Sequence, residues 1–312
     1  MAQERIISVI DIGSNSIVLL VAECNKNRVI NPVNEVYATT GLCKGIHDTG
    51  FLSKDAMDLT LRALNEMKQI SGQEQSTDLI VTVTSEMRKA TNKSEFLVKC
   101  HTQLGTFPQL LSSKEETRLT FLGLAYDVKT DAPIFTMDIG GNSTEIAFGT
   151  RDIMIGGFSL GLGSVSLSQS FGLGTNPWIN NWISAKRHIR KSLMVAIDEV
   201  NLWLQKREPV VIAGGGSATS YAALLLKQNI FDRAQINNVT SYLKEVSAIS
   251  RQLSRVPINK RLSIPGVEES RAENLPGGLL IISSILNFFK FDKFRISANG
   301  LRYGVLKHYL SR

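Results

Sequence analysis

The chain has 312 residues, 43% of them hydrophobic, with three cysteines and a formal net charge of +7. That length can bury a sizeable core and suggests two domains more readily than one. The apolar run after Arg5 is interrupted by Asp11, Leu279–Phe289 contains Ser283, Ser284 and Asn287, and the cysteines are odd in number without CxxC spacing; a secretion signal, a membrane span, a disulfide framework and a zinc site are therefore not expected, and a cytoplasmic protein is.

In chain order, Arg5–Ile10 reads as a buried strand and Ile17–Glu23 as its return, with Asn25–Arg28 turning into a third strand. Ser53–Met67 reads as a helix capped by Ser53, with Ala56, Leu59, Ala63 and Met67 on its apolar stripe. Ser113–Glu116 has the spacing of a capping box, in which Glu116 would bond back to the cap amide. A second copy of the first pattern follows. Ile134–Met137 is a strand, Thr144–Phe148 its return, Gly149–Asp152 a turn, and Ile153–Leu160 another strand. Ser184–Leu204 reads as one amphipathic helix. Val210–Ile212 is a strand before Gly214-Gly215-Gly216, and Tyr221–Leu226 is helical.

The loops of the two copies read Asp11-Ile-Gly-Ser-Asn-Ser16 and Asp138-Ile-Gly-Gly-Asn-Ser143. Repetition of a whole supersecondary unit implies a duplicated domain. Gly13 and Gly140 permit backbone geometries that expose successive N–H groups, and Ser and Asn add neutral donors, so each loop is a candidate phosphate cradle. Asp11 and Asp138 would repel phosphate directly but can hold Mg2+, usually through water. The plainer alternative is a hairpin turn in which Asp satisfies loop amides. The glycine cluster at 214–216 is a third anion-binding arrangement. No Lys follows it, so it is not a Walker loop, and Gly161–Ser166 ends in Ser where a dinucleotide fingerprint has Gly or Ala.

Charge divides unevenly along the chain. Residues 1–150 carry 14 Lys+Arg against 18 Asp+Glu, and residues 151–312 carry 21 against 10. A polyanionic partner met mainly by the second half is one reading, and a solvated basic surface the other. Lys186, Arg187, Arg190 and Lys191 crowd the first turns of the helix expected at 184–204, where the helix dipole disfavours cations. Arg251 and Arg255 are spaced to share a helical face.

Six ordered stretches, VIDIGSNSIVLLVAE, SSKEETRLTFLG, MDIGGNSTEIAFG, SLGLGSVSL, IAGGGSATS and ANGLRYG, resemble the exopolyphosphatase/guanosine pentaphosphate phosphatase family in its short two-domain form. The resemblance covers essentially the whole chain. It implies an α/β fold of two ribonuclease-H-like domains, of the actin-like, sugar kinase and Hsp70 superfamily, flanking a cleft. The domains are expected at 1–124 and 125–312, with a carboxy-terminal helix that could pack back on the first.

By the same resemblance, Asp11, Asp138 and Glu145 are metal carboxylates for Mg2+, and Glu116 activates water with Arg88 contacting phosphate. Ser14, Asn15 and Ser16, then Gly140, Gly141, Asn142, Ser143 and Thr144, then Gly215, Gly216, Ser217 and Thr219 form three substrate-binding loops. Asn142 replaces a usual third Gly, Gly161 a usual Pro, and TTGLCKGIH the usual Arg-Leu-Gly-Glu-Gly, which bears on first-domain contacts to substrate. The implied activity is Mg2+-dependent hydrolysis of the terminal phosphate of inorganic polyphosphate, with limited processivity on long chains. Guanosine pentaphosphate hydrolysis, a non-catalytic sensor of phosphate polymers or alarmones, and a small-molecule kinase are the alternatives. Neither DNA nor a membrane is an expected partner, and a homodimer is compatible with the sequence.

Overall fold

The computed structural model describes residues 5–25, 30–174, 181–205, 207–228, 230 and 232–311. The chain divides into two units, Met1–Leu119 with Leu301–Arg312, and Thr120–Gly300. The first unit runs β1 (Arg5–Ile12), β2 (Ser16–Cys24), β3 (Ile30–Thr39), α1 (Ile46–Thr49), α2 (Lys54–Gln73), β4 (Asp78–Val83), a 3-10 turn over Ser85–Lys89, α3 (Lys93–Leu104), β5 (Gln109–Leu110) and the start of α4 (Ser113–Leu124), whose end from Thr120 belongs to the second unit. Of the turn expected at 25–28, residues 26–28 lie outside the described residues.

The second unit begins with β6 (Ile134–Ile139), β7 (Thr144–Thr150), β8 (Ile153–Leu160), α5 (Ser164–Phe171), α6 (Trp182–Leu193) and α7 (Ile197–Leu204). It continues through β9 (Val210–Gly214), α8 (Gly215–Leu225), α9 (Arg233–Ile236), β10 (Thr240–Tyr242), α10 (Leu243–Ser254), α11 (Ile258–Arg261), α12 (Glu269–Ala272), α13 (Leu275–Phe289) and β11 (Lys293–Ile296). The last helix is α14 (Gly300–Tyr309).

The sheets repeat one plan. Their strand orders are β3-β2-β1-β4-β5 and β10-β11-β9-β6-β7-β8. In each, an antiparallel meander (β1-β2-β3, β6-β7-β8) meets a parallel strand (β4, β9) on the far side of its first strand. A parallel sheet face needs helical cover. In the second unit α13 supplies much of it: Leu279, Leu280, Ile281, Ile282, Ile285 and Leu286 are fully buried. Truncating one of them to Ala would cost about 2–5 kcal/mol. On the other sheet face the end of α4 packs Phe121, Leu124 and Ala125 against Ile134, Ala147 and Ile212.

Three expected elements differ. In α2 the buried stripe is Met57, Thr60, Leu64, Met67 and Ser71, while Leu59 is exposed. Two of those inward positions are polar and hydrogen-bonded, Thr60 within the helix to the Ala56 carbonyl and Ser71 across to the Ser8 hydroxyl of β1, so apolar periodicity alone pointed to a neighbouring stripe. The helix expected at 184–204 is two helices, α6 and α7, separated by a 3-10 turn over Met194–Ala196. Arg190 and Lys191 consequently occupy the last turn of α6, where the helix dipole favours cations. Finally, α8 starts at Gly215, within the glycine cluster rather than after it.

Candidate active site

The second-unit site is built on one row of residues across four strands. Gly214 of β9 pairs with Asp138 of β6, Asp138 with Glu145 of β7, and Glu145 with Ser159 of β8. Directly paired residues point to the same sheet face, and opposite Cβ atoms stand about 4.5–5.5 Å apart. Asp138 and Glu145 therefore share one face. Glu145 is 5% exposed, and its Oε1 accepts from the Ser159 hydroxyl at 2.8 Å. On the other side, a Cβ at Gly214 would stand 2.7 Å from Asp138 Oδ1 and collide with Leu124. Gly214 leaves the space the carboxylate fills.

Beyond this row the β6–β7 loop is tied down by its neighbours. The Gly140 amide donates to the Ser143 carbonyl at 3.0 Å. The Gly140 carbonyl accepts from the Ser164 amide, and the Gly141 carbonyl from those of Val165 and Ser166. The first turn of α5 is thus spent on loop carbonyls. Among the described residues, no backbone carbonyl accepts from the Gly141 or Asn142 amide. Gly140 to Ser143 are partly exposed, whereas Thr144 is fully buried with its hydroxyl donating to the Leu162 carbonyl at 2.6 Å. Thr144 braces the loop from below.

The first unit repeats the bond that closes the loop but ties the loop carbonyls one position later. The Gly13 amide donates to the Ser16 carbonyl at 3.0 Å, the Asn15 carbonyl accepts from Thr40 and Gly41, and the Ser14 carbonyl accepts from Cys43. The departure TTGLCKGIH is thus the segment that holds the first loop. Asp11, however, pairs with Val18 and Thr82, so the position corresponding to Glu145 carries no carboxylate. Ser16 Oγ instead lies 2.5 Å from the hydroxyl of Tyr37, which also accepts from Thr39 at 3.3 Å.

The start of α4 settles one ambiguity. The capping box is Ser112 and Glu115, not Ser113 and Glu116: the Ser112 amide donates to Glu115 Oε2 at 3.0 Å, and the Glu115 amide to Ser112 Oγ at 3.2 Å. The Ser112 hydroxyl, then its amide, hold the Glu115 carboxyl below its ordinary value. Glu116 is 7% exposed. Arg88 is exposed and reaches the backbone just upstream, its Nε donating to the Leu111 carbonyl at 2.8 Å and its Nη2 to that of Leu110 at 3.1 Å.

At the third loop Gly215 has φ +81, and a Cβ there would strike the Ile139 backbone, so only glycine suits the turn that starts α8. The Arg271 guanidinium lies against Gly216. Ser217 is buried beside Gly278, and Thr219 bonds back to the Gly215 and Gly216 carbonyls.

With this geometry in hand, comparison with known proteins identifies its kind. The model of the Ppx/GppA phosphatase family matches residues 20–312. The chain belongs to the Ppx/GppA phosphatase family. Members of this family are phosphatases acting on phosphoanhydride bonds. The fold is an α/β fold shared with solved structures of this family. The crystal structure of the Aquifex aeolicus member has a TM-score of 0.82 at 25% identity, covering 99% of this chain and 98% of that one. An exopolyphosphatase from Cytophaga hutchinsonii has a TM-score of 0.84 at 22% identity, covering 98% of each chain. A bifunctional 3-dehydroquinate synthase/phosphatase from Fusobacterium nucleatum is 29% identical over 310 residues; the chain spans 45% of that relative's length.

Within this Ppx/GppA chain, the donor set fits Mg2+. Among the described residues no three His, Cys, Asp or Glu side chains form a metal cluster. Mg2+ is commonly held by one or two carboxylates with water and substrate phosphates completing its shell, and the Asp138/Glu145 pair supplies that number. Ser159 and Arg271 are additions to the motif residues. Counting register along β8 places Ser159, whereas Arg271 lies in a short helix distant in sequence from Gly216 and carries no local signal.

Proposed function

We propose that this chain is a Mg2+-dependent phosphohydrolase that removes the terminal phosphate of inorganic polyphosphate. The observation that carries the reading is the facing pair Asp138 and Glu145 at the foot of a loop whose carbonyls are drawn away from its amides. Membership of a family of phosphatases supports the reaction class.

Hydrolysis of a phosphoanhydride needs an aligned water and compensation of negative charge on the transferring group, with little covalent work by the protein. The Gly141 and Asn142 amides and the Ser143 hydroxyl would bind phosphate oxygens. Asp138 and Glu145 would hold Mg2+, which when bound neutralises charge on phosphate oxygens. The Ser159 hydroxyl orients Glu145 for that purpose. Glu116 would accept the proton of the attacking water. Arg271 at Gly216 would add a cation at the third loop.

The test is a phosphate-release panel with polyphosphates of several lengths and guanosine pentaphosphate, each with and without Mg2+. Mg2+-dependent release, greatest from polyphosphate, is the expected result. Preference for guanosine pentaphosphate would change the substrate, and binding without release would replace the enzyme by a sensor.

A further inference from the structure

The second unit contains a groove that shares no residue with the loops. Its volume is about 610 Å³, and its walls include Trp182 and Lys186 of α6, Ser247 and Arg251 of α10, Arg255 just beyond α10, and Ser283 of α13. Lys186, one residue of the first basic cluster, meets the pair Arg251 and Arg255 there. The lining contains no Asp or Glu. Among the described residues no ion pair engages Lys186, Arg251 or Arg255, and all three are exposed.

Arg251 and Arg255 lie four residues apart on consecutive turns, an arrangement in which like charges repel. Lys186 adds a third positive charge from the facing helix. Three cations collected without a carboxylate raise one another's energy, and a ligand with several negative charges relieves all three repulsions together. Arginine forks match phosphate oxygens in particular, and the Ser247 and Ser283 hydroxyls add neutral hydrogen-bonding groups. The size lies within the roughly 300–1,000 Å³ of small-molecule sites, and the Trp182 indole gives one wall an aromatic surface.

We propose that this groove is a second anion site that binds an oligophosphate group. The ligand chemistry is a run of phosphates, free or carried by a nucleotide. The site goes beyond the proposed hydrolysis and does not depend on it.

The experiment is equilibrium binding of inorganic tripolyphosphate to the full chain at low salt, with divalent cations chelated. The wild type is compared with a charge-neutral variant, Lys186→Gln with Arg251→Gln and Arg255→Gln, and with a charge-retaining one, Arg251→Lys with Arg255→Lys. A Ser143→Ala control reports on the loop separately. The expected result is affinity lower by about tenfold or more in the neutral variant, retained in large part in the lysine variant and in Ser143→Ala. Binding should also weaken as salt is added. A parallel titration with a nucleoside triphosphate identifies the source: tighter binding than tripolyphosphate marks a nucleotide, and equal or weaker binding marks the free chain. Equal affinity in the wild type and the neutral variant at low salt would overturn the proposal, and affinity lost only in Ser143→Ala would assign all binding to the loop.

Discussion

Asp138 and Glu145 face each other directly across the β6–β7 hairpin, with Gly214 on one side of the row and Ser159 on the other. Opposed carboxylates on neighbouring strands are destabilising, and the proposed cation would relieve that repulsion. Glu145→Gln removes one of the two charges. It is expected to raise Tm in chelator while reducing the Tm gain on adding Mg2+, and to increase the Mg2+ concentration required for phosphate release. Thermal unfolding across a Mg2+ titration reads both effects. An unchanged Mg2+ response would remove Glu145 from the metal site.

Much of this site was legible in the sequence because its information is local. The two Asp-Ile-Gly motifs marked equivalent hairpins, and the same Gly-to-Ser amide-to-carbonyl bond closes both. Alternation along a strand then fixes which residues share a face. The difference between the hairpins, Glu145 opposite Asp138 but Val18 opposite Asp11, follows from the same counting. What was not legible depends on distant packing. No local pattern brings Arg271 to Gly216, or Lys186 to Arg251. Local rules also misplaced two boundaries. Glycine is a poor helix former, which hid the start of α8 at Gly215, and both Ser112–Glu115 and Ser113–Glu116 fit capping-box spacing, the structure using the first.

Glu115 and Glu116 are adjacent but should fail differently. Glu115→Ala removes the carboxylate that accepts from the Ser112 amide and hydroxyl at the start of α4 and should cost about 0.5–1.5 kcal/mol of stability with turnover nearly unchanged. Glu116→Gln should leave Tm near that of the wild type and lower kcat by about two orders of magnitude or more, with substrate binding intact. Denaturant unfolding and phosphate release on the two variants make the comparison. Near-normal turnover in folded Glu116→Gln would return that residue to a structural role.

Arg88 holds the carbonyls of Leu110 and Leu111, just before the capping box of α4. A lysine there keeps the charge but lacks the planar fork that reaches both carbonyls. If positioning this strand-to-helix junction is its main task, Arg88→Lys should lower Tm and kcat together while KM stays within about twofold. A raised KM with unchanged Tm would instead favour a direct phosphate contact.

Asp78 ties the carboxy-terminal helix to the first sheet. It pairs with Arg5 at 2.7 Å and accepts from the Thr77 hydroxyl at 2.7 Å and from Tyr309 of α14 at 3.0 Å. Burial pushes its carboxyl upward, but the hydrogen bonds from Thr77 and Tyr309 and the nearby Arg5 charge outweigh that and hold it below the ordinary value. A group whose pKa is depressed on folding contributes stability above its unfolded pKa, and loses it as pH falls through the lower, folded value. Asp78→Asn removes this contribution. The Tm difference between wild type and Asp78→Asn should therefore be full near neutral pH and shrink only below the ordinary carboxylate range. A Tyr309→Phe variant, which removes one of the bonds that depress the pKa, should narrow that window from its acidic side. A Tm difference constant throughout the acid range would show that Asp78 acts through packing rather than through its charge.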